Sequence, residues 1–236
     1  MKMHRPFFLA LVGVALLAVR VGAQAPPPTI DALERAVAAD PENLRLAADY
    51  RQQVIASGRF DRSIDFLEKL ADRRGSGPNV KISLALACVD KVPTSSDWSR
   101  LFLGRDAVGA LDKAIKQRPS VLAYYIRGLI HLFYNNAIFK RIPRGLEDLR
   151  KALALATDDT PPALIARTYV SLGDGQWRLE EKQKAREAWQ AGAAQFPSYP
   201  ALQIRLSADE GQVRSAVSAA LYTGNRVDTS LRDIFP

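Results

Sequence analysis

Cysteine and histidine are nearly missing from these 236 residues, which hold one Cys and two His. Cys88 alone cannot close an intrachain disulfide, so packing has to supply the stability. It sits in ISLALACVD, whose small and apolar residues mark a buried, inert thiol. Cys88 and His131 lie far apart in sequence, which excludes a His-rich metal site and a thiol–imidazole nucleophile. A phosphate-cradling loop is missing too, since Gly173-Asp174-Gly175 falls inside a helical pattern and not between a strand and a helix. The carboxylate pairs Glu180-Glu181, Asp158-Asp159 and Asp209-Glu210 sit in polar turns or on helix flanks, where solvation and helix-start electrostatics account for them. The sequence therefore offers no catalytic constellation, no cofactor and no metal site, and it reads as non-enzymatic.

Long apolar runs are confined to the N-terminus. MKMHR gives a basic start, PFFLALVGVALLAV an apolar stretch too short for a comfortable membrane span, and Ala23-Gln24-Ala25 the small residues a signal peptidase reads. Residues 1–25 are expected to be a secretory signal, cleaved after Ala25, which places the mature chain in a bacterial periplasm or outside the cell. Lys2, Arg5 and Arg20 would leave with it and lower the net charge from +8 to +5. That excess is too mild and dispersed for nucleic acid, and no later segment predicts a membrane span.

What remains is helical. PPPT at 26–29 is an extended lead-in with Thr29 placed to cap a helix from Ile30. Helical segments then alternate with short breaks at Asp40-Pro41, Ser57-Gly58-Arg59 and Gly75-Ser76-Gly77-Pro78. ISLALA alternates as a strand would, but its alanines and the lack of a partner strand favour a helix over 79–91. Further helices are predicted at Leu101–Gln117, Val121–Tyr134, Gly145–Ala156, Pro162–Arg178, Gln183–Ala194, Pro200–Ser207 and Gly211–Tyr222, followed by a docked or loose tail at 223–236.

The helices repeat. Pro41, Pro119 and Pro197 are spaced by 78 residues, which two units of 39 would give. Each follows a helix with a small residue five positions earlier (Ala36, Ala114, Gly192) and a bulky one three before that (Leu33, Leu111, Trp189). This spacing sets one apolar helical face and then stops the helix.

The pattern over roughly 30–207 resembles the tetratricopeptide repeat (TPR), a helix–turn–helix unit of about 34 residues. In the fourth unit Tyr169, Leu172 and Gly173 match its first helix, and Ala185, Trp189, Gly192 and Pro197 its second. Gln176 stands where an aromatic is usual. In the third unit Arg127-Gly128 is answered by Asp148 in LEDLRKALAL, a structural pair in repeats of this kind. The first unit is looser, with Arg51 where Gly is expected. The resemblance implies an all-α, right-handed superhelix of about four units, with a lone helix before them and capping helices after. The repeat domain spans 30–222.

In this family the first helix of each unit lines an inner groove. The resemblance then turns Tyr125, Leu129 and Leu132 into an apolar centre, with Arg45 and Gln52 on one side and Arg167, Asp174 and Trp177 on the other. Longer connections at 91–99 and 135–144 should protrude at one edge. The second carries Lys140, Arg141 and Arg144 without a nearby acid, as a solvated loop or a contact for an acidic partner or lipid headgroup. The expected function is an exported scaffold that binds a protein or peptide partner in its groove; a small apolar, lipid-like ligand is the second reading.

Overall fold

The structure is a computed structural model and describes residues 28–235, so the expected leader lies outside it. Twelve helices follow one another, with no strand among the described residues: α1 (Ile30–Ala39), α2 (Leu44–Ser57), α3 (Phe60–Ala71), α4 (Pro78–Lys91), α5 (Asp97–Gln117), α6 (Val121–Phe133), α7 (Asn136–Phe139), α8 (Ile142–Leu155), α9 (Pro162–Arg178), α10 (Lys182–Gln195), α11 (Pro200–Ser207) and α12 (Glu210–Ala220). ISLALA is part of α4, as its alanines indicate.

Local chemistry sets the boundaries. The side chains of Thr29, Asn43, Ser96 and Ser120 each accept a hydrogen bond from the backbone N–H three residues on, and Asp209 and Gln212 form a capping box. Proline stands in the first turn of α4, α8, α9 and α11, where its missing N–H costs nothing. Gly58 ends α2 at φ +70°, a left-handed conformation that glycine adopts freely. The Ser96 cap starts α5 earlier than the predicted Leu101, so Trp98 lies on a helix and not in a loop.

The helices stack as consecutive pairs: α2 with α3, α4 with α5, α6 with α8, α9 with α10, and α11 with α12. Each pair also rests on the next, through α3 on α4, α5 on α6, α8 on α9 and α10 on α11. Small residues allow the closest crossings. A Cβ on Gly128 would lie 3.0 Å from the Gly145 carbonyl, and one on Gly145 would lie 2.8 Å from that of Gly128, so α6 and α8 meet backbone to backbone. Trp189, fully buried, lies over Gly173, and its Nε1–H donates to the Val170 carbonyl at 3.3 Å. Arg127 and Asp148 form the expected pair, bidentate at 2.8 and 2.7 Å.

The apolar interior has three parts. One joins α1–α4, a central one joins α4–α9, and the last gathers Trp177, Trp189, Leu202, Val213 and Val217. Leu231 and Ile234, from the segment after α12, belong to the central one.

Candidate groove and its C-terminal occupant

The first helices of the four units are α2, α4, α6 and α9, and the tail beyond α12 lies across all of them. Arg51 of α2 is buried and donates to the Thr229 carbonyl at 2.8 Å. It also pairs with the buried Asp90 of α4 at 3.0 Å, whose other oxygen accepts from the Thr229 hydroxyl. Arg226 donates to the Asp90 carbonyl at 2.9 Å and stacks over the Phe60 ring. On α9, Arg167 pairs with Asp228 at 3.2 Å and Asp233 at 2.7 Å. Burial disfavours the Arg167 charge, yet the phenols and carboxylates around it raise its pKa. Ile234 and Phe235 then join the central apolar cluster with Leu44, Ile82, Leu122 and Leu164, one near the start of each first helix.

Beside this track, between α4, α5 and α6, is a larger cavity of about 960 Å³. Leu86, Val89, Ile126, Leu129 and Ile130 form its floor, while Val227, Asp228 and Leu231 of the tail close one side. Both longer connections reach it, through Val92 and Pro93 from one and Ile138 and Phe139 from the other. They share an edge, as equivalent insertions in stacked repeats should.

The structure brings some of the expected groove residues together and separates others. Tyr125, Leu129 and Arg167 line the large cavity beside the tail. Gln52 is half-buried and Arg45 exposed on α2. Leu132, Asp174 and Trp177 are not on the groove surface. Leu132 is fully buried, because the bare Gly175 lets α9 close over that end of α6. Asp174 is buried in a bidentate pair with Arg205 of α11, at 2.5 and 2.6 Å. Trp177 stacks on Trp189, with ring centroids 5.8 Å apart, beneath Lys182. Helical periodicity places these three on a groove face, whereas the packing of the neighbouring helices makes them core.

Of the basic loop, Lys140 is exposed, Arg144 is exposed in the first turn of α8, and Arg141 stacks over the Tyr134 ring at 5.0 Å. Among the described residues no carboxylate forms an ion pair with any of the three.

The contributors not anticipated include Arg51 and Asp90 and, from the tail, Thr229 and Leu231. Two signals in the sequence mark them: Arg51 departs from the repeat motif, and Asp90 is an acid closing an apolar helix.

Cys88 is buried, and that burial pushes its thiol up to about 12, so it is not a nucleophile at neutral pH. Among the described residues no group of His, Cys, Asp or Glu is placed to hold a metal ion, and no helix is long and apolar enough to cross a membrane.

Paired helices stacked unit on unit, with small residues at their crossings, decide the fold. It is of the TPR type. Among solved structures the chain is similar to a thermophilic TPR protein from Thermus thermophilus, with a TM-score of 0.57 and 18% identity, over 75% of this chain and 87% of that one. No protein-family model matches the sequence, and neither does any curated protein. At that identity the likeness speaks for the TPR fold alone.

Proposed function

We propose that this chain is a non-enzymatic binding scaffold that takes a segment of a protein partner in the groove its own tail occupies. One observation carries the reading: residues 226–235 already lie there as a peptide would, held by backbone contacts, apolar anchors and acids. Arg51 reads a carbonyl, and Asp90 beside it accepts from a hydroxyl. Leu231 and Ile234 fill apolar seats, and Arg167 selects carboxylates. A partner segment of the same character, with spaced leucine-like residues flanked by acids, fits this surface. The stacked repeats hold the surface ready, so little entropy is lost on association.

The tail then competes with any partner at an effective concentration of order millimolar. A labelled peptide of residues 226–236 should bind the variant Leu231→Asp, whose tail is evicted, at least tenfold more tightly than the unaltered protein. If the variant keeps its helical spectrum yet binds no peptide, the groove reading fails.

We also propose export, supported by the basic, apolar and small-residue order of residues 1–25. Intact mass of the protein from an envelope fraction tests it, and a mass that retains those residues refutes cleavage.

A further inference from the structure

The large cavity beside the tail suits a ligand of another kind, and its case does not depend on the groove taking a partner. We propose that it holds the chain of a single-tailed anionic amphiphile, such as a long-chain fatty acid. Its volume of about 960 Å³ is at the upper end of what small-molecule sites use, roughly 300–1,000 Å³. Most of its wall is apolar, with Leu86, Val89, Ile126, Leu129, Ile130 and Phe133 in the lining, while Asp97 and Arg100, Arg167, and Asp228 and Thr229 of the tail add polar groups. A polar metabolite lying along the apolar part would lose its water without replacement, whereas an alkyl chain loses nothing there.

The mouth supplies the second half of the argument. Trp98 is 76% exposed and Ile138 71% exposed, and both line the cavity with Phe139. Apolar side chains left in solvent around the opening of an apolar cavity mark a path for an apolar guest. Two cations flank this edge without lining the cavity: Lys140 follows Phe139 in the chain, and Arg141 lies on Tyr134, itself part of the wall. The charges in the lining near Trp98, Asp97 and Arg100, pair with each other. Neither Lys140 nor Arg141 has a carboxylate partner among the described residues. A hydrocarbon or sterol would have no use for these charges, but a carboxylate at the end of a buried chain meets them. The guest therefore lies tail inward and head at the basic edge.

Purified protein incubated with oleate and desalted should carry one oleate per chain by native mass spectrometry. Each buried methylene changes affinity about fourfold, so laurate, two methylenes shorter, should bind about fifteenfold more weakly than myristate. Oleyl alcohol should bind several-fold more weakly than oleate, and Lys140→Glu with Arg141→Glu should erase that difference. Leu129→Trp should block the cavity. Should that variant misfold, Ile138→Asp, at an exposed position outside the core, should still cut oleate affinity about tenfold.

Three results would overturn the proposal. These are no retained oleate, binding indifferent to chain length and to Ile138→Asp, or sedimentation with phosphatidylglycerol vesicles without oleate retention. The last would make the patch a membrane contact and not the mouth of a site. Peptide binding without oleate retention leaves the groove reading standing and removes this one; the reverse removes only the groove reading.

Discussion

Arg205–Asp174 and Arg51–Asp90 are both buried arginine–aspartate pairs, and they are completed differently. The first joins α9 to α11, and its two carboxylate oxygens take two guanidinium N–H groups. The second commits only one oxygen to the arginine; the other oxygen and a second guanidinium nitrogen go to Thr229, at the far end of the chain. Arg51 Nε is left buried without a partner. A self-satisfied pair fixes two helices and has no capacity for a guest. A pair that needs a third member draws in a segment from elsewhere, here the tail, because buried polar groups must be matched by something. The pair in the fourth repeat thus serves packing, and the pair in the first two seats the tail.

The largest expected effect tests the packing half. Trp189→Ala removes a fully buried indole and should cost about 3–5 kcal/mol, read from denaturant unfolding. Repeats stabilise their neighbours, so hydrogen exchange should speed up after about residue 160 and little before it. A wild-type melting temperature would mean that the indole is a surface contact, against its placement here.

Asp90→Ala tests the receiving half. It strips a buried arginine of its carboxylate, a loss of about 3–5 kcal/mol for broken buried pairs; the lower end is expected because the Thr229 carbonyl remains. Unlike the tryptophan change, its signature should appear in two distant places, α2–α4 and residues 226–234. Protection lost in α2–α4 alone would show that the tail is held by its apolar anchors and not by the pair.

That contrast also explains what the sequence could reveal. The fourth repeat was legible because its identity lies in spacing: Ala185, Trp189, Gly192 and Pro197 carry the packing rule in local order. The third was legible through Arg127 and Asp148, whose answer lies only one helix away. The tail's seat was not, since Arg51 and Thr229 are separated by 178 residues and no local period connects them. Leu132, Asp174 and Trp177 were misplaced for a related reason. Periodicity assigns a face, whereas the crossing of the next helix decides how far along that face solvent reaches. Arg51 carried the clearer of the two visible warnings, as a charged side chain where the motif keeps a glycine.

Acid separates the two halves in a third way. Burial holds the His131 imidazole down at about 4, with Arg141, Arg127 and Arg144 adding to it and Asp148 opposing. The unfolded chain takes up this proton near pH 6.5 and the folded chain only near 4, so stability falls as pH drops through that window. The loss should be on the order of 2 kcal/mol, centred on α6 and α8, and His131→Phe should flatten it. The tail should stay docked there. Burial works against the Asp228 charge, but hydrogen bonds from Ser230 and the nearby Arg167 hold its carboxyl below the ordinary value, so its contribution is lost only at lower pH. Exchange rates at pH 7 and pH 4.5, residue by residue, would show whether the third repeat loosens first.

Arg167→Ala should do the least to stability, and the reason sharpens the difference between the tail's two anchors. Arg167 is 19% exposed, and its partners Asp228 and Asp233 are 59% and 38% exposed. Water and salt screen such pairs, whose removal costs about 0–1 kcal/mol. The tail should therefore remain seated, with exchange at 226–234 rising by no more than about fivefold. What should change is discrimination: rim charges suppress mismatched partners more than they strengthen the right one. A tail peptide with Asp228 and Asp233 replaced by Asn should bind the Leu231→Asp protein more weakly than the native peptide, yet bind the double variant Leu231→Asp, Arg167→Ala equally well. High salt should mimic Arg167→Ala and leave the Asp90→Ala defect unchanged. If Arg167→Ala alone frees the tail as fully as Asp90→Ala does, the ranking of buried anchor over exposed one is wrong, and the groove is primarily a reader of acids.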